Sequence, residues 1–153
     1  MKLVRVGAEC ALQLWEMQRR SFTELFLKYR DYETNPANES VSKIEERLKQ
    51  PFTYYYRILD GENVVGAIRV VDKKDGSRKR ISPLFILPEY RGKGYAQRAM
   101  LEAERLHGAE NWALDTILEE AGNCYLYEKL GYRKTGETKK INEKMTLVFY
   151  EKN

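Results

Sequence analysis

The sequence predicts an α+β domain: a mixed, mostly antiparallel central sheet of about seven strands with about four helices. Three observations carry this. Apolar residues change period along the chain, in the order strand, two helices, three strands, helix, strand, helix, two strands. The three consecutive strands, and the final two, are separated by short turn segments, which makes each set antiparallel. The strand after the third helix follows a crossover, so it returns parallel to the strand ending at Leu87. No repeat, linker or low-complexity segment interrupts the order. The 153 residues suit one domain, residues 1–153, with one sizeable core.

The elements follow in turn. Leu3 to Val6 alternates and reads as a first strand. From Ala8 to about Leu27, apolar Ala11, Leu12, Leu14, Trp15, Phe22, Leu25 and Phe26 give a helix, in one or two pieces. Tyr29 to Glu39 is a loop, because Asn35-Pro36 breaks regular structure. Ser40 reads as an N-cap, and Val41, Ile44 and Leu48 continue a second helix that Pro51 ends. Thr53–Leu59, Val64–Val71 and Lys79–Leu87 form a meander, turned at Asp60-Gly61 and Asp75-Gly76. A third helix runs to about Leu106, with His107 in its last turn before Gly108, where a histidine suits the carbonyl ends. Trp112–Ile117 is a strand and Gly122–Leu130 a short helix ended by Gly131. Tyr132–Thr138 and Lys144–Tyr150 close the chain as a hairpin.

Composition narrows the function classes. No apolar run approaches the ~20 residues that cross a bilayer. Lys2 to Val6 alternates instead of forming a signal-peptide core, so a cytoplasmic protein without membrane attachment is expected. Two cysteines, Cys10 and Cys124, lack metal spacing and imply a reduced protein; the single His107 excludes a histidine metal cluster. The net charge of +4 is mild. The basic residues cluster once, from Asp72 to Arg80, without interleaved aromatics, which suits a solvated hairpin tip and not nucleic acid.

The most informative stretch is Ser82 to Leu106, SPLFILPEYRGKGYAQRAMLEAERL. An apolar strand ends at Pro88, a turn holds Arg91-Gly92-Lys93-Gly94-Tyr95-Ala96, and a helix follows. Glycines permit a tight turn and close approach of a ligand. The helix start offers unpaired N–H groups and the positive end of its dipole, to which Arg91 and Lys93 add charge. Such a site suits a phosphate or pyrophosphate. The Walker pattern G-x-x-x-x-G-K-[ST] and the dinucleotide pattern G-x-G-x-x-G are both absent.

The stretch resembles the R/Q-x-x-G-x-G/A motif of the GCN5-related N-acetyltransferases, the GNAT superfamily. Arg91 matches the first position, Gly94 the fourth and Ala96 the sixth. The resemblance implies a GNAT-like sheet splayed between its fourth and fifth strands. It implies acetyl-CoA as co-substrate, its pyrophosphate cradled by Arg91, Gly92, Lys93, Gly94, Tyr95 and Ala96, and its pantetheine arm on main-chain groups of Phe85 and Ile86. A second stretch, from Trp112, contains NCYLYEKLGY, similar to the family's N-x-x-x-x-Y-E-K-x-G-F. Asn123 and Tyr127 are four residues apart and share a helical face. The resemblance gives Asn123 a cofactor contact and Tyr127 the role of proton donor, with Tyr132 at the usual Phe place.

The chemistry is acetyl transfer to a primary amine. An oxyanion forms and needs N–H donors; a thiolate leaves and needs a proton, which a tyrosine hydroxyl can give. Ser77 to Leu87 lacks the carboxylate many family members place there, so Asp115, Glu119 or Glu120 is left as the base, through water. Cys124 has no base partner, which favours direct attack over an acyl-enzyme. The resemblance also implies that the loop between the first two helices walls the acceptor site. There Tyr29, Asp31, Tyr32 and Glu33, with Glu119 facing them, suit a small cationic or polyamine-like acceptor. A peptide amine, a non-catalytic CoA-binding module, and monomer or homodimer all remain open at this level.

Overall fold

The computed structural model describes residues 1–153. A seven-stranded sheet runs in the order β1-β2-β3-β4-β5-β7-β6. Strands β1 (Lys2–Arg5), β2 (Thr53–Asp60), β3 (Asn63–Val71) and β4 (Lys79–Ile86) are neighbours in antiparallel pairs. Strand β5 (Trp112–Ile117) lies parallel to β4 and pairs antiparallel with β7 (Met145–Lys152), outside which lies β6 (Arg133–Asn142). The expected splay is visible in the register. Only Lys79 opposite Trp112 and Arg80 opposite Ala113 pair β4 with β5, after which the two strands part.

Four helices cover the sheet. A short 3-10 turn, Ala8–Cys10, leads into α1 (Ala11–Tyr29), a single α-helix where one or two pieces were expected. The Ser40 hydroxyl accepts the Lys43 N–H at 3.2 Å and caps α2 (Val41–Lys49). Helices α3 (Tyr95–His107) and α4 (Ala121–Lys129) follow β4 and β5. Strand alternation sends neighbouring side chains to opposite faces. Tyr55, Ala67 and Phe85 pack with Leu14 and Ile44 of α1 and α2. Tyr56, Ile68 and Ile86 pack on the other face with Ala99 and Met100 of α3 and Cys124 of α4. Leu14 and Ile44 have no exposed surface, and each such side chain contributes about 1.5–3 kcal/mol of burial. No helix is long and apolar enough to cross a membrane.

Two elements depart from the sequence reading. The imidazole of His107 does not cap the carbonyl end of α3. It lies inside, with Nε2 2.8 Å from the Tyr56 hydroxyl and Nδ1 3.0 Å from the Asp72 carboxylate, edge-on to Tyr54 and Trp112. A buried imidazole needs partners for both nitrogens, and Tyr56 of β2 and Asp72, just past the end of β3, supply them. Strand β6 continues past Thr138 to Asn142, because residues 138–142 keep pairing with β7 down to Met145. It is the sheet edge, exposed from Arg133 to Lys140, so no alternation marks it in the sequence.

One close approach sets the end of β4. A Cβ on Gly66 of β3 would stand 2.1 Å from the Phe85 carbonyl oxygen. Glycine there lets β4 press against β3 as it turns away from β5.

Candidate active site

The gap between β4 and β5 has polar walls because strand pairing stops. The Leu87 N–H donates to the Val65 carbonyl of β3 at 2.8 Å, and Phe85 stands opposite Ala67. Backbone groups alternate sides along a strand, so the N–H and C=O of Ile86 point away from β3, into the gap. The Phe85 main chain therefore belongs to the β3 side and its ring packs edge-on to Phe22 at 5.8 Å; of the two expected main-chain contacts, Ile86 is the one facing the gap. The Ile86 carbonyl accepts a hydrogen bond from Arg91 Nε at 3.0 Å.

At one end of the gap lies the glycine loop. Gly92 and Gly94 adopt φ of 77° and 80°, the left-handed region that glycine enters without strain. Six consecutive N–H groups, from Gly92 through Gln97, have no acceptor within the protein. The Arg98 guanidinium takes the carbonyls of Lys93 at 3.0 Å and Gly94 at 3.4 Å. The Lys93 side chain is exposed in the loop. Tyr95 turns its side chain to the Asp60 carboxylate, which its hydroxyl donates to, so Tyr95 offers the loop only its backbone. A row of free N–H groups on a helix start is an anion cradle.

Two cleft lobes meet along the gap. One is lined by Arg91, Gly92, Gly94, Tyr95, Ala96 and Ile86; the other by Asp31, Thr34, Ser82, Asp115, Thr116 and Met145. Phe22, Leu25, Leu84, Asn123 and Tyr127 line both. The helix α4 thus places Asn123 and Tyr127 at the junction, one turn apart. Neither side chain makes a hydrogen bond within the protein. Burial, with smaller contributions from Asp115 and Cys124, pushes the Tyr127 hydroxyl up to about 12. It therefore keeps its proton at neutral pH, as a donor must. Its ring packs edge-on to Tyr132, centroids 6.2 Å apart. Cys124 is buried with Sγ 3.8 Å from the Ile117 and Leu118 carbonyls.

Burial also raises Tyr55, Tyr132 and Tyr150 above their ordinary value of 10.0. The sign follows directly. Each folded-state value exceeds the unfolded one, so the stabilisation is complete below pH about 10 and lost as pH rises through the folded values. Loss of stability that sets in as pH rises past about 10 is the expected result, with tyrosinate absorbance rising in step with loss of circular dichroism. Tyrosinate appearing fully at pH about 10 in a folded chain would contradict it.

The acceptor residues expected from the loop are not brought together. Only Asp31 lines the second lobe. Its carboxylate accepts the N–H groups of Glu33 at 3.0 Å and Thr34 at 2.8 Å, and the Thr34 hydroxyl, which shapes the loop. The Tyr29 hydroxyl donates to Glu120 at 2.5 Å, and Lys28 pairs with Glu120 at 2.7 Å. Burial works to raise the Glu120 carboxyl, and these two hydrogen bonds outweigh it and lower it. Tyr32 is 72% exposed and packs edge-on to Phe26. Glu33 pairs with Lys139 at 2.8 Å, and Glu119 accepts the Thr146 N–H at 2.9 Å. Of the three carboxylates considered as base, only Asp115 lines the acceptor lobe; it is paired with Arg80 at 3.0 Å. Phe22 and Leu25 of α1, which line both lobes, looked like ordinary core residues in the sequence.

A splayed strand pair with an anion cradle at one end, a free tyrosine hydroxyl midway and an acid-bearing lobe at the other is the layout of an acyl-CoA-dependent acyltransferase. Comparison with known proteins agrees. Residues 11–132 match the model of the Acetyltransferase (GNAT) family. The chain belongs to this family, and it is an N-acetyltransferase with acetyl-CoA as co-substrate. No curated protein matches the sequence. Among solved structures, it is similar to the PaiA N-acetyltransferase of Thermoplasma acidophilum with coenzyme A: 16% identity over 99% of this chain and 98% of that one, TM-score 0.73. It is also similar to spermidine N-acetyltransferase of Vibrio cholerae with CoA and spermine: 16% identity, 97% and 92% coverage, TM-score 0.75. The ribosomal-protein-S18-alanine N-acetyltransferase of Escherichia coli gives 11% identity, 97% and 90% coverage, TM-score 0.73. At these identities the shared property is the fold.

Proposed function

We propose that the chain acetylates a primary amine of a small cationic molecule by direct attack on acetyl-CoA, with Tyr127 as proton donor and Asp115 as proton acceptor. The observation that carries this is the meeting of the two lobes at an unpaired Tyr127 hydroxyl, with Asp115 in the lobe beyond it. The N–H groups from Gly92 to Gln97 hold the pyrophosphate, and the pantetheine arm lies in the gap beside Ile86. The amine nitrogen attacks the thioester carbon, and the Ile86 N–H faces the oxyanion. As the intermediate collapses, the C–S bond breaks and the thiolate takes the Tyr127 proton. Before attack the acceptor ammonium gives one proton to Asp115, directly or through one water; the second N–H proton, released as the amide forms, returns to the Tyr127 oxygen. The lining of the acceptor lobe contains two carboxylates, Asp31 held by its own loop and Asp115 paired with Arg80, and no lysine or arginine, so its residual charge favours a cationic acceptor over an anionic one. The spermine present in the Vibrio cholerae structure is in keeping with such a class.

A panel of amines incubated with acetyl-CoA, followed by thiol release, tests the acceptor. Cationic amines are expected to lead; a preference for an anionic amino compound would remove this reading of the lobe. Asp115→Asn is then expected to lower kcat about 10²-fold at neutral pH, with acetyl-CoA affinity unchanged. If kcat stays within about twofold, the proton leaves by another route.

A further inference from the structure

The splay leaves a problem at the end of β4. In a continuous sheet the outward N–H and C=O of Ile86 would pair with the next strand, but β5 has departed after Ala113. A buried carbonyl without a partner is destabilising. Arg91 supplies one. Its Nε donates to the Ile86 carbonyl at 3.0 Å. Its Nη2 donates to the Ser21 carbonyl of α1 at 2.7 Å, and its Nη1 lies 3.2 Å from Glu24. One planar fork thus ties together the end of β4, the middle of α1 and the base of the glycine loop. Phe22 and Leu25, which line both lobes, lie on the same stretch of α1 as Ser21 and Glu24.

We infer that Arg91 is a positioning residue and not a phosphate ligand: it stands in for the missing strand, and holds Ile86 and the α1 wall against the pantetheine arm. The loop's mobile charge is then Lys93, whose ammonium has no ion pair in the protein. The inference rests on the pantetheine arm lying in the gap, as proposed above. The guanidinium hydrogen bonds all run to protein groups on its own side of the loop, whereas the six free N–H groups of Gly92 to Gln97 already form a cradle.

Two donors separate the roles. Acetyl-CoA carries the pyrophosphate; S-acetylpantetheine carries the same arm and thioester without it. Their affinities are measured by calorimetry, with an NMR titration for the weaker ligand, for the wild type, Arg91→Gln, Arg91→Lys and Lys93→Ala. Arg91→Gln is expected to weaken both ligands by the same factor, about tenfold or more, the scale of lost charged hydrogen bonds. Arg91→Lys keeps the charge and loses the fork, so it should behave like Arg91→Gln. Lys93→Ala should weaken acetyl-CoA alone. A loss confined to acetyl-CoA in Arg91→Gln, with recovery in Arg91→Lys, would overturn the inference and make Arg91 a phosphate ligand. Wild-type affinity for both ligands in a folded Arg91→Gln variant would overturn it as well. If Arg91→Gln does not fold, Arg91→Lys decides alone: weakening of both ligands supports the brace, and wild-type acetyl-CoA affinity overturns it. No acceptor amine enters these titrations, so a wrong acceptor leaves the result untouched. Failure of the wild type to bind S-acetylpantetheine at all counts against the arm's placement and takes the inference with it.

Discussion

Tyr127→Phe is expected to lower kcat about 10²-fold or more, while the affinity for acetyl-CoA changes little. The substitution keeps the ring that packs against Tyr132 and Tyr150, so the core of α4 is preserved. It removes only the hydroxyl, which has no hydrogen-bond partner in the protein to orphan. That separates the effect from most tyrosine substitutions, where a lost partner confuses stability with chemistry. Because burial pushes this hydroxyl up to about 12, the residue stays protonated through the range in which the enzyme is assayed. The alkaline side of the wild-type profile should therefore show no loss of the acid below pH about 10. Single-turnover measurements at saturating acetyl-CoA would isolate transfer from product release. A kcat within about threefold of wild type would mean that water, or another group, protonates the thiolate.

Gly94→Val is expected to abolish measurable acetyl-CoA binding in a chain that remains folded. Space is not the obstacle on the protein side, since a Cβ at Gly94 meets no atom within 4 Å. The backbone is. At φ of 80°, a β-branched residue is strained, by about 1–2 kcal/mol for the left-handed region in general. The loop relieves that strain by turning Gly94 out of the left-handed region, which breaks the row of N–H groups aimed at the anion. Val also adds bulk on the face the ligand must approach. At about 2–4 °C per kcal/mol for a chain of this size, the thermal midpoint should fall by only several degrees. Calorimetry with acetyl-CoA, beside a thermal melt, checks both halves. Near-wild-type affinity in the folded variant would leave the loop without its assigned role. Gly94→Ala should lie between, because Ala tolerates the region better than a β-branched residue.

The fold was legible in the sequence because its period changes are clean and its turns carry glycine, proline or Asp-Gly at the breaks. The splay did not follow from the strands themselves; it came with the resemblance of the Arg91–Ala96 stretch to the GNAT superfamily. The glycine loop and the Asn123–Tyr127 spacing were legible for a similar reason: both depend on local geometry, which neighbouring residues determine. What failed to show was anything decided by distant partners. Glu119 and Glu33 are claimed by Thr146 and Lys139, residues far away in the chain. His107 looks like a helix-end residue, yet Tyr56 and Asp72 draw its ring inward. Arg91 looks like a charge for a phosphate, and its donors run to Ile86 and Ser21 instead. Charge and spacing announce which groups are present; the long-range pairing decides which of them are still available.

The exposed outer strand has a bearing on how the molecule behaves in a crowded solution. Strand β6 ends the sheet with an unpaired main-chain edge ten residues long. Such edges invite a second chain to add itself and continue indefinitely. Here the row carries Arg133, Lys134, Lys139 and Lys140, all exposed. Two copies aligned along it would confront lysine with lysine, at a spacing where like charges repel. The left-handed Gly136 and the register shift between Lys134 and Thr138 further bend the template away from flatness. The charges guard against sheet growth only while they are unscreened, so concentrated salt is the condition under which this edge turns adhesive.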